Sequence, residues 1–166
     1  FGRQIEYVVK SEPVRLKVDP LPGGAPSSFK GAVGKFTMNA KVDRQTTKTN
    51  EPMSLKVTIN GTGNIKVLES PAVELPTDFE QYTPKVSDNI NRREAKVSGS
   101  KTFEYILIPR YPGKKIIKPV EFSYFDLGKS QYMTLKSSEI ELNVEQGAAG
   151  AAPFVSSNLR EDVQLL

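Results

Sequence analysis

The chain has 166 residues, of which 37% are hydrophobic and 25% charged, and its formal net charge is +4. This length and composition are typical of one globular domain, or of one domain and part of another. The sequence contains no cysteine, histidine or tryptophan, which excludes disulfides, thiolate nucleophiles, zinc sites built on cysteine or histidine, and catalysis by imidazole. The lysines are scattered among glutamates without a basic stripe, so nucleic-acid binding is not predicted.

The first residues carry two short β-rich runs, Ile5–Val9 and Val14–Val18. Because the chain begins within a strand-like segment, we expect it to be a piece of a longer protein. Residues 1–19 would then be the last strands of a preceding β domain. Residues 20–34 are rich in proline and glycine and are interpreted as a linker. No apolar run approaches the roughly 20 residues that a membrane-spanning helix needs.

Two alternating segments follow the linker. The sequence from Lys35 to Val42 alternates apolar and polar side chains, which predicts a half-buried strand. The same pattern runs from Met53 to Ile59 and stops at Asn60-Gly61, a pair that suits a tight turn. The same asparagine opens a match to the glycosylation sequon, but the turn is the favoured interpretation.

The middle of the chain is less regular. Prolines at three positions between residues 71 and 84 argue against a central strand. We interpret this segment as a long surface crossing between two sheets, with Phe79 and Tyr82 as anchors. Residues 85–97 are polar and predict an exposed edge hairpin, where charged side chains suppress unwanted strand addition.

The remaining strands complete the predicted domain. Residues 101–110 are apolar on both faces, with Ile106 and Ile108 opposite the aromatic face, so this strand is expected to be central or to meet another domain. A Pro112-Gly113 turn and three more alternating runs follow. About seven strands in about 110 residues, with no helical period, are typical of a sandwich. The predicted fold class is all-β, an immunoglobulin-like antiparallel β-sandwich over residues 35–145.

Residues 146–166 differ from the domain before them. They begin with a run of small residues, Gly147–Pro153, which is typical of a flexible linker. Asn158 and Glu161 have the spacing of a capping box, and the apolar residues after Asn158 recur at helical spacing. We expect a flexible tail with the potential to form a short helix.

Three stretches of the sequence resemble a known family. They are Gly31-Ala-Val-Gly34, Gly61-Thr-Gly63-Asn64, and the two strands with their Pro-Gly turn between Gly99 and Asp126. Together they resemble the BatD family of bacterial aerotolerance proteins, over residues 20–144. The resemblance implies a cell-envelope assembly protein built of immunoglobulin-like sandwiches.

The resemblance also implies partners and a location. The family is linked to tolerance of oxygen and stress, and BatA and BatB proteins with von Willebrand factor A domains, together with a MoxR-type ATPase, become the expected partners. The expected location is the periplasmic face of the envelope, with an inner-membrane anchor outside this piece. A non-enzymatic scaffold for protein-protein interaction is therefore the leading interpretation, with no cofactor.

The candidate partner-binding residues are Tyr111, Lys114, Lys115 and Lys118, which form the densest basic cluster beside an aromatic ring. Recognition residues commonly lie on loops that a rigid scaffold presents, so this loop is predicted to bind an acidic partner. The alternative interpretation is that the lysines only keep a turn soluble.

Two other classes of function remain open. A carbohydrate-binding module or adhesin repeat needs exposed aromatic rings for sugar stacking, and the candidates are Tyr82, Tyr111, Phe125 and Tyr132. An enzyme would need paired carboxylates, but the acidic residues mostly lie opposite the apolar faces of strands, and Asp126 is interpreted as a turn residue. No catalytic or metal-binding residue is predicted, and no glycine motif builds a phosphate cradle.

Overall fold

The computed structural model describes residues 2–92 and 95–148. These residues form ten β-strands and one turn of 3-10 helix, Ile65–Val67, which confirms the predicted all-β class. In chain order the strands are β1 (Phe29–Val42), β2 (Thr46–Lys48), β3 (Met53–Gly63), β4 (Phe79–Gln81), β5 (Lys85–Asn91), β6 (Ser98–Pro109), β7 (Gly113–Ile117), β8 (Glu121–Asp126), β9 (Gln131–Lys136) and β10 (Ile140–Glu145). Within the described residues, no helix is both long enough and apolar enough to span a membrane.

The strands form two sheets. In the seven-stranded sheet, β4 and β5 both pair with β6, and β3, β1, β8 and β9 follow in that order. The other sheet has three strands in the order β2, β10, β7. Because both sheets contribute to one core, the arrangement agrees with the predicted immunoglobulin-like sandwich. The sequence analysis missed β2 and β4, since three-residue strands are too short to show an alternating pattern. The loop predicted around Lys114 and Lys115 is also wrong, because Gly113–Ile117 form strand β7.

A bent hairpin over residues 113–145 joins the two sheets. Its outer half, β8 with β9, lies in the large sheet, and its inner half, β7 with β10, lies in the small one. At the bend, the backbone N–H of Val120 donates to Oγ of Ser137 at 2.9 Å. The strands before and after Pro112-Gly113 therefore belong to different sheets, and this turn is a corner of the sandwich.

The core side chains come from alternate positions of strands in both sheets. They include Met53, Leu55, Val57 and Ile59 in β3, Phe103, Tyr105 and Leu107 in β6, Phe122 and Tyr124 in β8, and Ile117 and Leu142 in the small sheet. Fully burying one such side chain stabilises a fold by about 1.5–3 kcal/mol. On the outer face of β6, Ile106 is 37% exposed. Of the two predicted explanations, the first is confirmed: β6 is a central strand, because it pairs with β3 on one edge and with β4 and β5 on the other. Within the described residues, no second layer covers its outer face.

The pair Asn60-Gly61 lies inside β3, so the predicted tight turn is wrong. A Cβ atom added to Gly61 would lie 2.0 Å from the carbonyl oxygen of Lys35. The ring of Phe36 lies over Gly61 and Gly63, close to where their Cβ atoms would be. Glycine is required here because two backbones and a ring approach closely. From the sequence alone, such a glycine looks the same as a glycine in a turn.

The side chain of Asn64 fixes the point at which β1 changes its neighbour. Its amide nitrogen donates to the Gly31 carbonyl, and its oxygen accepts from the N–H of Val33, both at 2.8 Å. β1 pairs in parallel with β8 as far as Val33, and antiparallel with β3 from Gly34 onward. The φ angles of Gly31 and Gly34 are 84° and 147°, which favours glycine. The two glycine motifs therefore guide β1 from one neighbour to the other.

The irregular segment before β4 is held by side chains of β6. Lys101 is 8% exposed, and its Nζ donates to the carbonyls of Lys66 and Leu68, both at 2.7 Å. The hydroxyl of Tyr105 donates to the buried carbonyl of Pro71 at 2.6 Å. The segment connects β3 to β4 within one sheet, which corrects the prediction that it crosses between the sheets.

The two predicted anchors of this segment differ. Phe79 is partly buried against the core, whereas Tyr82 is 50% exposed, so Phe79 alone is an anchor. The exposed edge predicted over residues 85–97 is confirmed, since β5 is mostly exposed. Its hairpin partner is β6, which begins at Ser98, beyond the predicted range.

The start of the sandwich differs from the predicted boundary. β1 begins at Phe29, inside the predicted linker of residues 20–34, because Phe29 pairs with Ser123 and its ring contacts Tyr132 at 5.0 Å. Residues 2–28 contain no strand, and Val9 is 91% exposed. Their assignment to a preceding domain stays a prediction, and the predicted tail helix lies outside the described residues.

The buried hydroxyl of Tyr105 predicts a loss of stability at high pH. Burial raises the pKa of Tyr105 from 10.0 to about 12. Above its ordinary pKa, tyrosine in the unfolded chain loses its proton while folded Tyr105 keeps it, so the stability from this group is present below about pH 10 and falls as pH rises toward 12.

Urea unfolding of the wild type and of Tyr105→Phe measures this effect. At neutral pH we expect the variant to be less stable by about 1 kcal/mol, because the Pro71 carbonyl loses its donor. At about pH 11 the difference should shrink, since only the wild type has this proton to lose. The other tyrosines are present in both proteins, so their ionisation cancels in the comparison. A stability difference that does not change with pH would contradict the raised pKa of Tyr105.

Candidate interaction surface

The four predicted binding residues lie at the corner between β6 and β7 and along β7. Tyr111 is 67% exposed in the corner itself. Lys114 and Ile116 are exposed on the outer face of β7, and Ile116 is 47% exposed. Lys115 lies on the opposite face, next to buried Ile117. The alternation of the strand therefore places Lys114 and Lys115 on different sides.

Lys115 and Lys118 are both engaged in ion pairs with the segment before β4. The Nζ atom of Lys115 lies 2.5 Å from Oδ2 of Asp78, and both side chains are mostly buried, with 17% and 15% of their surfaces exposed. The Nζ of Lys118 donates to Oε2 of Glu74 at 2.7 Å, and this pair is exposed. These two ion pairs connect β7 and the residues just after it to the segment before β4. The sequence analysis did not predict either pair.

Hydrogen bonding between Lys118 and Glu74 shifts both groups toward their charged forms. The hydrogen bond and the charge of Lys118 lower the pKa of Glu74, and the same contacts raise the pKa of Lys118. Both side chains are largely exposed, so the pair adds little to stability. It instead leaves less positive charge on this side of β7 for a partner.

A polar network organises the corner next to Tyr111. Arg110 donates from Nη1 to Oδ1 of Asn50 at 2.7 Å and from Nη2 to Oε2 of Glu80. The hydroxyl of Tyr82 donates to Oε1 of Glu80 at 2.8 Å. Hydrogen bonds from Tyr82 and Arg110 lower the pKa of Glu80, and the bond to Glu80 raises the pKa of Tyr82. Tyr82 thus joins Arg110 through Glu80, Tyr111 follows Arg110 in the chain, and both tyrosines are exposed.

We define the corner surface as Tyr82, Arg110, Tyr111 and Lys114. Two of its residues, Tyr111 and Lys114, belong to the predicted partner-binding site. The other two, Tyr82 and Arg110, were not predicted as part of that site. Tyr82 was predicted as an anchor of the segment before β4 and as a candidate for sugar stacking. Arg110 had no recognisable signal, because its partners Asn50 and Glu80 are distant in the sequence.

The other two aromatic candidates for sugar stacking lie elsewhere. Phe125 is 5% exposed, so its predicted exposure is wrong. β8 is buried on both faces, and the ring of Phe125 packs against Tyr132 with the ring centroids 5.1 Å apart. The hydroxyl of Tyr132 donates to the Pro22 carbonyl at 2.7 Å. Tyr132 therefore holds Pro22, in the segment before β1, against the sheet.

Several acidic residues on the strands and turns have structural partners. Lys136 and Lys56 pair with Glu121 and Glu104 at 2.6 Å and 3.4 Å. Oδ1 of Asp126 accepts the backbone N–H groups of Gly128 and Lys129, which confirms its interpretation as a turn residue. Within the described residues, no group of three or more acidic side chains could hold a metal ion.

One sequence comparison is positive. The sequence model of the family described as BatD DUF11 like domain matches residues 40–144, from the second half of β1 into β10. No curated protein and no solved structure matches the chain.

The different environments of Lys114 and Lys115 predict different costs of charge reversal. Lys115→Glu places a second carboxylate against mostly buried Asp78, so we expect a loss of about 3 kcal/mol in unfolding free energy. Lys114→Glu changes an exposed side chain and should shift it by less than about 0.5 kcal/mol. Urea unfolding followed by circular dichroism compares them, and equal stabilities would show that the Lys115 pair has no structural role.

Proposed function

The chain belongs to the BatD family, and we propose that it is a non-enzymatic interaction scaffold of the cell envelope. On this proposal it contributes to tolerance of oxygen and stress by assembling protein complexes. The observation that carries the proposal is the family match over residues 40–144, which covers almost the whole sandwich. A rigid sandwich that presents exposed side chains at a corner supports the same role.

The proposed partners are envelope proteins with von Willebrand factor A domains, of the BatA and BatB type, and a MoxR-type ATPase system. The proposed location is the periplasmic face of the inner membrane, with an anchor in the full-length protein. The corner surface supplies a means of recognition, because the rings of Tyr82 and Tyr111 offer apolar area near the exposed Lys114 and the Arg110 guanidinium, which is paired with Glu80. Aromatic and arginine side chains are enriched where interfaces bind most strongly.

The proposed link to oxygen is indirect. The sequence has no cysteine, so its own residues supply no thiol that could sense an oxidant. Of the three methionines, Met53 is 2% exposed, and Met38 and Met133 are partly buried against the core. Tolerance then arises from the complex that the scaffold assembles, and oxidation of this domain is not a required step.

A carbohydrate-binding or adhesin-type module is the second candidate. The observation that favours it is the exposure of two tyrosines beside one arginine, with Tyr82 at 50% and Tyr111 at 67%. Exposed rings can stack on sugars, and charged neighbours can bind hydroxyl groups. A glycan array probed with the wild type and with Tyr111→Ala separates the two candidates, since only a glycan-binding module loses a signal there.

The scaffold is tested by capture from detergent-solubilised membranes of the source organism. The wild-type chain should enrich von Willebrand factor A proteins or a MoxR-type ATPase. The double variant Tyr111→Ala with Lys114→Glu should recover about tenfold less, because a central contact is worth about 1.4 kcal/mol or more. Mass spectrometry of the captured proteins gives both results.

The matched control is Tyr7→Ala with Lys10→Glu, which changes an exposed tyrosine and an exposed lysine in the segment before β1. It should capture as the wild type does. Recovery of no envelope protein by the wild type would contradict the scaffold. Equal recovery by the double variant and the control would contradict only the corner surface as its binding site.

A further inference from the structure

The second half of β1 is an open strand edge. From Gly34 to Val42 it pairs antiparallel with β3. On its other side, pairing with β8 ends at Val33, and the described residues supply no further strand there. In an antiparallel ladder, alternate residues direct their N–H and C=O groups away from the paired neighbour. The edge from Lys35 to Val42 therefore offers a row of unpaired backbone groups.

Two depressions lie along this edge. The first, of about 380 Å³, is lined in part by Phe36, Gly61 and Tyr124. The second, of about 390 Å³, is lined in part by Ala40, Val42 and Ile140. Side chains that alternate along an added strand would enter both depressions from the same face. The edge thus offers backbone partners together with places for apolar side chains.

The open edge is also basic. Lys35 and Lys41 are exposed on β1, and Lys129 lines the first depression. These three lysines form no ion pair with the described residues. Natural edge strands carry lysine to discourage unwanted pairing. A strand that brings carboxylates to the same positions would remove that barrier.

We propose that the open edge of β1 binds an extended, acidic segment of a partner protein by β-strand addition. The added strand continues the large sheet, its apolar side chains enter the two depressions, and its carboxylates pair with the free lysines. This inference rests on the proposed scaffold function, and it specifies the binding mode and the chemistry of the partner.

Charge argues against two occupants from the chain itself, the same edge of a second copy and the run Val14–Val18. Two copies joined edge to edge through β1 would bring Lys35 and Lys41 of one copy near those of the other. The extended run Val14–Val18 carries Arg15 and Lys17, which have the same sign as the edge. Like charges opposite each other destabilise a strand pair. An acidic segment from another protein meets no such repulsion.

Two of the other edges, those of β7 and β5, are less suited to the same role. β7 is held to the segment before β4 by the mostly buried Lys115–Asp78 ion pair. β5 is exposed over most of its residues, with Ile90 as its half-buried member. The edge of β1 combines free lysines with two depressions, and this combination selects it.

The test uses a synthetic peptide of about nine residues with alternating glutamate and valine, long enough to span the edge. A lysine-valine peptide of equal length is the control for charge. Backbone amide hydrogen exchange of the chain, followed by NMR, is the readout. We expect the acidic peptide to protect alternate amides between Lys35 and Val42 and to leave the amides bonded to β3 unchanged.

A charge-reversed variant sharpens the test. Lys35→Glu with Lys41→Glu should bind the acidic peptide at least about tenfold more weakly, and should gain affinity for the lysine peptide. Binding without the alternate protection, equal binding of both peptides by the wild type, or the same protection caused by self-association would each overturn the proposal.

The test of strand addition and the test of the scaffold can fail independently. Capture of envelope proteins without any change in exchange along Lys35–Val42 would overturn strand addition and leave the scaffold standing. Alternate protection by the acidic peptide, with no envelope protein captured, would support the site and contradict the scaffold.

Discussion

The structure depends on a close approach of two backbones at one end of β3. Gly61 has no space for a Cβ atom, because the carbonyl of Lys35 would lie 2.0 Å from it. Next to this contact, Asn64 bonds through its side chain to Gly31 and Val33. β1 can therefore leave β8 and join β3 within a few residues, and it closes the sandwich on one side.

The same constraint creates the open edge. Because β1 turns away from β8 after Val33, its second half has a partner on one side only. On the far side of the fold, β6 holds the irregular segment through Lys101 and Tyr105, and that segment holds β7 through Asp78. Rigid packing thus presents two separate surfaces, the corner surface and the open edge of β1.

Much of the fold could be predicted from period-two alternation. The pattern identified β1, β3, β6 and β8 because each buries alternate side chains in one core. It could not separate Gly61 from a turn glycine, since both requirements are met by the absence of a Cβ atom. It also could not show that β1 starts at Phe29, where the partner is a strand almost a hundred residues later in the chain.

The candidate site was less accessible to sequence reasoning. Basic residues at positions 114, 115 and 118 form a cluster in the sequence, but Asp78 and Glu74 neutralise two of them through contacts between distant segments. A lysine at an inward position of β6, in register with Phe103, was a readable sign that Lys101 has buried partners. The open edge had no sequence signal, because an edge is defined by the neighbour that a strand lacks.

The most direct test of this account is amide hydrogen exchange in Asn64→Ala, with Asn60→Ala as the control. The account predicts that Asn64→Ala lowers protection at Val33 and along the paired part of β8, while the β3–β6 ladder keeps its protection. The control should resemble the wild type. Unchanged protection at Val33, or an equal loss over all strands, would contradict the claim that Asn64 directs β1 between its two neighbours.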